Sequence, residues 1–319
     1  MRLVFLGSGA FGIPTLEALA ARHEIVQVVS QPDRPAGRGK TLTPTPISQW
    51  ALERGLPLVR CEDVNEQSVR EAIRATRADA WVVIAFGQKL SRELLDGVFA
   101  INLHGSLLPA YRGAAPIQRA VIDGCAETGV SVISLAERMD GGLVYATASR
   151  PILPSEISDE VHDALAQLGP AVVEEVLARH AAGTLVGATQ DESLATRARK
   201  LSKAEATVDL ATVDAGLARA RINGLNAWPG CTVVVGELPV KLLRVEECAP
   251  GDGEPGDGEP GVLGADGRIN ARTGAIRVLS IQPVGGKPMG IAEFLNGRPK
   301  LVGCRVRPFV PPTTTTAAG

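Results

Sequence analysis

From residue 3 to residue 182 the chain alternates short apolar runs with stretches of helical periodicity, and this alternation restricts what it can fold into. Parallel neighbours in a sheet need a helix-length crossover between them, so alternating strands and helices predict an α/β domain on a largely parallel sheet. The pattern places strands at 3–6, 25–30, 58–60, 80–86, 100–103, 130–135 and 143–149. Helices fall at 14–22, 46–54, 64–75, 115–123, 159–168 and 170–182. The last two are well marked: Ser158 is placed to cap the first, Gly169-Pro170 separates them and Gly183 follows the second.

Beyond this point the pattern changes. Residues 184–203 lose strong periodicity and become polar and basic, as a linker does. A helix at 213–222 precedes short strands at 231–235, 240–246, 261–263 and 275–281 with glycine turns between, the pattern of a small β-barrel. A length of 319 residues and 45% hydrophobic content fill two cores. The expected organisation is therefore a first domain at 1–183, a linker at 184–203, a second domain at 204–312 and a disordered tail at 313–319. The doubled Gly-Asp-Gly-Glu-Pro at 251–260 is too polar for a core and reads as a flexible acidic loop.

Composition narrows the function classes. No apolar run approaches the roughly 20 residues of a membrane span, and the first six residues read as a strand followed by glycine rather than a signal peptide. A cytoplasmic protein without membrane contact is expected. The five cysteines are widely spaced and form no CxxC or Cys/His cluster, so neither a disulfide framework nor a zinc site is indicated. A net charge of −2 argues against bulk electrostatic capture of nucleic acid, although basic residues recur in separate segments. These include Arg34, Arg38 and Lys40, then Arg197, Arg199, Lys200 and Lys203.

Gly7-Ser8-Gly9-Ala10-Phe11-Gly12 fits the GxGxxG dinucleotide fingerprint. The fingerprint also needs an acid at the end of the second strand, and that strand ends Val29-Ser30-Gln31-Pro32. A tight strand-to-helix connection needs the same glycines without any nucleotide.

The densest polar chemistry lies at 101–117, INLHGSLLPAYRGAAPI, and at Met139-Asp140-Gly141-Gly142. Asn102 and His104 are two apart at the end of an apolar run, so on a strand they share one face. Open α/β sheets hold ligands at such carboxyl ends. With Asp140 they supply an amide, an imidazole and a carboxylate, groups suited to moving a one-carbon acyl group onto an amine.

Together these stretches resemble the methionyl-tRNA formyltransferase family, almost end to end. The resemblance runs through QPDRPAGRGK at 31–40, residues 85–90, the Asn102/His104 stretch, Thr128-Gly129-Val130, the Asp140 turn, Leu201-Ser202-Lys203, 226–230 and 282–287. It implies a Rossmann-like, largely parallel-sheet catalytic domain followed by an OB-like β-barrel. It also implies transfer of the formyl group of 10-formyltetrahydrofolate to the α-amine of methionine on initiator tRNA, by a monomer and without a metal. The catalytic residues would be Asn102, His104 and Asp140. Ser106, Leu107, Leu108 and Pro109 would contact the folate, with backbone groups at Phe86, Gly87, Gln88 and Lys89. Arg34, Arg38 and Lys40 would form a basic lid for the tRNA, joined by Lys200 and Lys203. The wider folate-dependent group shares the catalytic elements, which leaves an amino sugar or a nucleotide precursor as the alternative acceptor. Two departures from the family pattern stand out: Gly141 occupies a position usually held by Thr or Ala and should loosen the turn, and Leu210 stands where a Trp is usual.

Overall fold

The computed structural model describes residues 1–36, 39, 41–249 and 259–310. Arg38, Lys40, most of the acidic repeat and the tail lie outside the described residues. The chain divides into two units, one formed by Met1–Gly113, Thr128–Arg150 and His162–Ala198, the other by Ala114–Glu127, Pro151–Val161 and Arg199–Gly319.

The first unit is built on a seven-stranded sheet. Its strands are β1 (Arg2–Gly7), β2 (Glu24–Ser30), β5 (Leu58–Arg60), β6 (Ala80–Ile84), β7 (Ala100–His104), β9 (Glu127–Ser134) and β10 (Val144–Pro151); β3 (Arg34–Ala36) and β4 (Thr41–Thr43) form a separate hairpin, and β8 (Arg112–Gly113) pairs in parallel with β11 (Arg197–Ala198). The order is β10-β9-β7-β6-β1-β2-β5. Pairing is parallel from β7 through β5, and β9 runs antiparallel to β7. The helix at 115–123 reads in sequence as a crossover, but the observed α5 (Pro116–Ile122) belongs to the second unit, so the chain returns to β7 in the opposite direction.

The central strands are apolar throughout because both faces are covered. Leu3, Val4, Phe5 and Leu6 of β1 are fully buried, as are Val82 and Ile84 of β6. Val4 and Leu6 share a core with Trp81 and with Ile73 of α3 (Gln67–Ala75). Strand alternation turns Leu3 and Phe5 to the other face. There α1 (Ile13–Arg22) packs on α7 (Gly169–Ala181).

The GxGxxG turn is explained by packing. A Cβ on Gly7 would stand 2.7 Å from the Phe5 ring and 2.9 Å from the Ile84 carbonyl oxygen. The amides of Ser8 and Gly9, which would cradle a phosphate, both donate to the Ala85 carbonyl at 3.3 Å.

The second unit carries a curled antiparallel half-barrel, OB-like in form. Its strands are β12 (Cys231–Val235), β13 (Leu238–Glu247), β14 (Arg268–Asn270), β15 (Ala275–Pro283), β16 (Met289–Gly290) and β17 (Val306–Pro308). Alternate residues Val233, Val235, Val240, Leu242, Ile276 and Val278 point into one core with Ile222 of α8 (Ala215–Gly224). Leu210 is fully buried in that core, so the smaller side chain still fills an interior position. The register of β13 against β15 shifts around Arg244. The backbone groups displaced there are met by Asn223, whose Nδ2 donates to the Val245 carbonyl and whose Oδ1 accepts from the Val245 amide, both at 3.0 Å.

Two local expectations change. Ser158 does not cap a helix: its hydroxyl donates to the Gly224 carbonyl at 2.6 Å, because it is buried beside that carbonyl rather than facing the first helical amides. The strand expected at 261–263 is reduced to single bridges, Val262 with Arg305 and Leu263 with Ile269. Among the described residues no helix is long and apolar enough to cross a membrane.

Candidate active site

Asn102 and His104 project from one face of β7, between β6 and β9, with Asn102 opposite Val83 and Ile133 and His104 opposite Ser131. The His104 imidazole is 7% exposed. Its Nε2 lies 2.9 Å from the Tyr111 carbonyl oxygen. A carbonyl only accepts, so Nε2 carries a hydrogen and Nδ1 is the nitrogen left to face Asp140. Nδ1 stands 3.7 Å from Asp140 Oδ2, within ion-pair range and longer than a formed hydrogen bond. The Asn102 carboxamide is half-buried and makes no hydrogen bond among the described residues. An amide donor, an imidazole nitrogen and a carboxylate therefore converge at one strand end, an arrangement able to stabilise an oxyanion and move a proton.

The turn that carries Asp140 is braced rather than loose. Asp140 itself adopts a left-handed φ of +54°, a conformation that persists only where the surroundings impose it. Its Oδ2 accepts from the Gly113 amide at 2.9 Å. The Gln190 side chain donates from Nε2 to the carbonyls of Asp140 and Gly142, both at 2.8 Å. Gly142 is pressed against β9, where a Cβ would fall 1.9 Å from the Ser134 carbonyl oxygen. Gln190 is in turn gripped by Arg112, whose Nε and Nη2 donate to its Oε1 at 3.0 and 2.7 Å. Arg112 completes a second fork on Glu192, and the Arg112 hydrogen bonds, with Arg138 nearby, hold the Glu192 carboxyl below the ordinary carboxylate range.

The two loops assigned to the folate leave the carboxyl ends of the adjacent parallel strands β6 and β7. The loop after β7 is largely self-supporting. Ser106 is fully buried, its Oγ donating to the Ala110 carbonyl at 2.7 Å, and its own carbonyl accepts from Ser131 Oγ at 2.7 Å. Ser131 also receives the Leu108 amide at 3.0 Å. Leu107 packs on Gly129, and the Pro109 carbonyl accepts from the Thr196 amide. After β6, the Phe86 carbonyl accepts from Ser8 Oγ and Gln31 Nε2 at 3.2 and 2.8 Å. Gly87 takes φ +81°, and Gln88 spans the Val64 amide and the Cys61 carbonyl. Lys89 is exposed, its carbonyl held by Asn65.

Of the basic residues, Arg34 is exposed and pairs with Glu62 at 2.6 Å, beside an Arg60–Asp33 pair at 2.7 Å. Arg38 and Lys40 lie outside the described residues. Lys200 and Lys203 are exposed on the second unit.

Residues 1–177 match the family model described as formyl transferase, and residues 200–299 match the formyl transferase C-terminal domain. A protein of Moorella thermoacetica named methionyl-tRNA formyltransferase is 39% identical over 316 residues, 95% of this chain and 98% of the relative. One of the same name from Thiobacillus denitrificans is 41% identical over 312 residues, covering 96% and 99% of the two chains. This chain belongs to the methionyl-tRNA formyltransferase family. Among solved structures, HypX from Aquifex aeolicus in complex with tetrahydrofolic acid superposes with a TM-score of 0.61 at 17% identity. The match spans 92% of this chain and 47% of HypX, and at that identity it speaks for the fold alone.

In this formyltransferase the residues singled out from the sequence, Asn102, His104 and Asp140, stand in front of two that were passed over, Gln190 and Arg112. Gln190 lies in a segment read as a polar linker, and Arg112 falls within the 101–117 stretch without being singled out there. No local pattern marks an arginine for burial, because burial depends on partners 78 and 80 residues away. Among the described residues no group of three or more His, Cys, Asp or Glu side chains is disposed to hold a metal ion.

Proposed function

We propose that this protein transfers the formyl group of 10-formyltetrahydrofolate to the α-amino group of methionyl initiator tRNA, for translation initiation. The observation that carries the reading is the near full-length similarity, at 39% and 41% identity, to proteins named for that reaction. The convergence of Asn102, His104 and Asp140 supports the chemistry. The neutral amine attacks the formyl carbon, and the carbonyl oxygen becomes an oxyanion that accepts a hydrogen bond from the Asn102 amide. The nitrogen, now cationic, loses a proton to the pair formed by His104 Nδ1 and Asp140 Oδ2. Collapse of the intermediate breaks the bond from the formyl carbon to N10, and N10 collects a proton as the folate departs. The reaction needs no covalent enzyme intermediate, and much of the acceleration comes from holding two substrates in register.

The loops at Ser106 to Pro109 and Phe86 to Lys89 form the folate site in this reading. Arg34, Arg38 and Lys40 make a lid for the acceptor stem, and Lys200 and Lys203 contact phosphates. Residues 1–183 act as the catalytic domain and 204–312 as the tRNA-binding domain, although Ala114–Glu127 and Pro151–Val161 group with the second unit and residues 184–198 of the expected linker with the first. The enzyme works in the cytoplasm, where charged tRNA is used, and as a monomer. The test is incubation with 10-formyltetrahydrofolate and methionyl initiator tRNA: formyl-methionine should be released on deacylation. Charged tRNA left unformylated while an amino sugar or a nucleotide precursor is formylated would overturn the acceptor assignment.

A further inference from the structure

Behind Asp140 stands a series of contacts that the reaction itself does not use. Gln190 is 8% exposed and Arg112 6%. A guanidinium buried this far is costly unless its donors are paired, and here they meet Gln190 on one edge and Glu192 on the other, at 2.7 to 3.0 Å. Arg112 also sits at the centre of three consecutive residues that converge on the site. The Tyr111 carbonyl receives His104 Nε2, the Gly113 amide reaches Asp140 Oδ2, and the Arg112 side chain secures Gln190. Backbone pairing anchors the segment, with the Arg112 amide donating to the Thr196 carbonyl at 2.9 Å. Gln190 closes the circuit by bridging the Asp140 and Gly142 carbonyls across a turn whose φ of +54° would otherwise relax.

We propose that Gln190 and Arg112 are positioning residues, fixing the Asp140 turn so that its carboxylate stays facing His104 Nδ1. This rests on the reading of Asp140 as a group of the formyl transfer. Asp140 takes a backbone conformation most residues avoid, in a turn containing two glycines, and the bridge supplies the constraint that its own chain lacks.

Gln190→Glu keeps the volume and removes both donations to the turn. Its kcat for formylation of methionyl initiator tRNA should fall about 100-fold, the cost of a misplacement near 1 Å, while KM for the folate and for tRNA stays within about twofold. Placed in an Asp140→Asn background, the same change should add almost nothing, because it acts through a carboxylate no longer present. The second variant, Glu192→Gln, changes an exposed side chain, keeps Gln190 itself and weakens only the outer hold on Arg112. It should give a smaller loss of kcat, again absorbed by Asp140→Asn. Losses that add fully in the double variants, or a Gln190→Glu enzyme with wild-type kcat, would overturn the positioning role alone. An Asp140→Asn enzyme as fast as wild type would overturn the reading of Asp140 and the positioning role with it.

Discussion

Asn102 carries a neutral carboxamide, and this suits the proposed role of meeting a developing negative charge. A carboxamide donates at every working pH, and from mid-strand on β7 it does so from a rigid element. Removing such a donor typically costs about 100- to 1,000-fold in rate. Asn102→Ala should therefore lower the single-turnover rate by that order while the Kd for the folate changes less than about twofold; equal losses in both would contradict the oxyanion role. Asp140 depends on its surroundings in the opposite way. Its place was readable from the Met-Asp-Gly-Gly turn, but the expectation that Gly141 loosens that turn came from local flexibility alone. In the fold the constraint comes from Gln190 and Gly113, both distant in sequence, and from the contact of Gly142 with Ser134 across the turn.

At the scale of elements, the register shift in β13 leaves backbone groups that must be satisfied from outside the sheet. Asn223 does this from within α8, fully buried. Asn223→Ala should destabilise the protein by about 1–3 kcal/mol, the cost of leaving a buried donor or acceptor unmet, read as a drop in the urea midpoint. Unchanged stability would mean water replaces the amide. A second element-scale contact is pH-sensitive. The side-chain hydrogen bond from Arg119, aided by the Ser202 amide, holds Glu205 below the ordinary 4.5. A depressed folded-state value means the ionised form contributes its full stability above about pH 4.5 and loses it as pH falls through the lower folded value. Glu205→Gln should flatten that acid limb of the stability curve; an unaltered limb would assign it to other carboxylates. The strands at 3–6 and 80–86 were legible because buried parallel strands are apolar along their length. The direction of β9 was not, because the helix before it packs in the other unit, and β14, β16 and β17 are too short for a periodic signal.

For the whole molecule, the donor and the acceptor are encoded in different places. The end of β7 identifies the one-carbon chemistry, and the near full-length similarity to the curated relatives points to charged tRNA. Because basic side chains bind phosphates through counterion release, KM for tRNA should rise steeply with salt while folate binding changes little. Arg38→Ala should raise KM for tRNA about tenfold and leave the Kd for the folate unchanged, the loss expected for one contact worth about 1–2 kcal/mol. Weakened folate binding in that variant would place Arg38 in the wrong site. The most direct measurement gives the wild-type enzyme one supply of 10-formyltetrahydrofolate and, in competition, methionyl initiator tRNA and a nucleotide-linked amino sugar. The ratio of the two kcat/KM values is then read from the masses of the products. Formyl-methionyl-tRNA should be the dominant product by several orders of magnitude. Formylation confined to the amino sugar, with the methionyl-tRNA recovered intact, would contradict it.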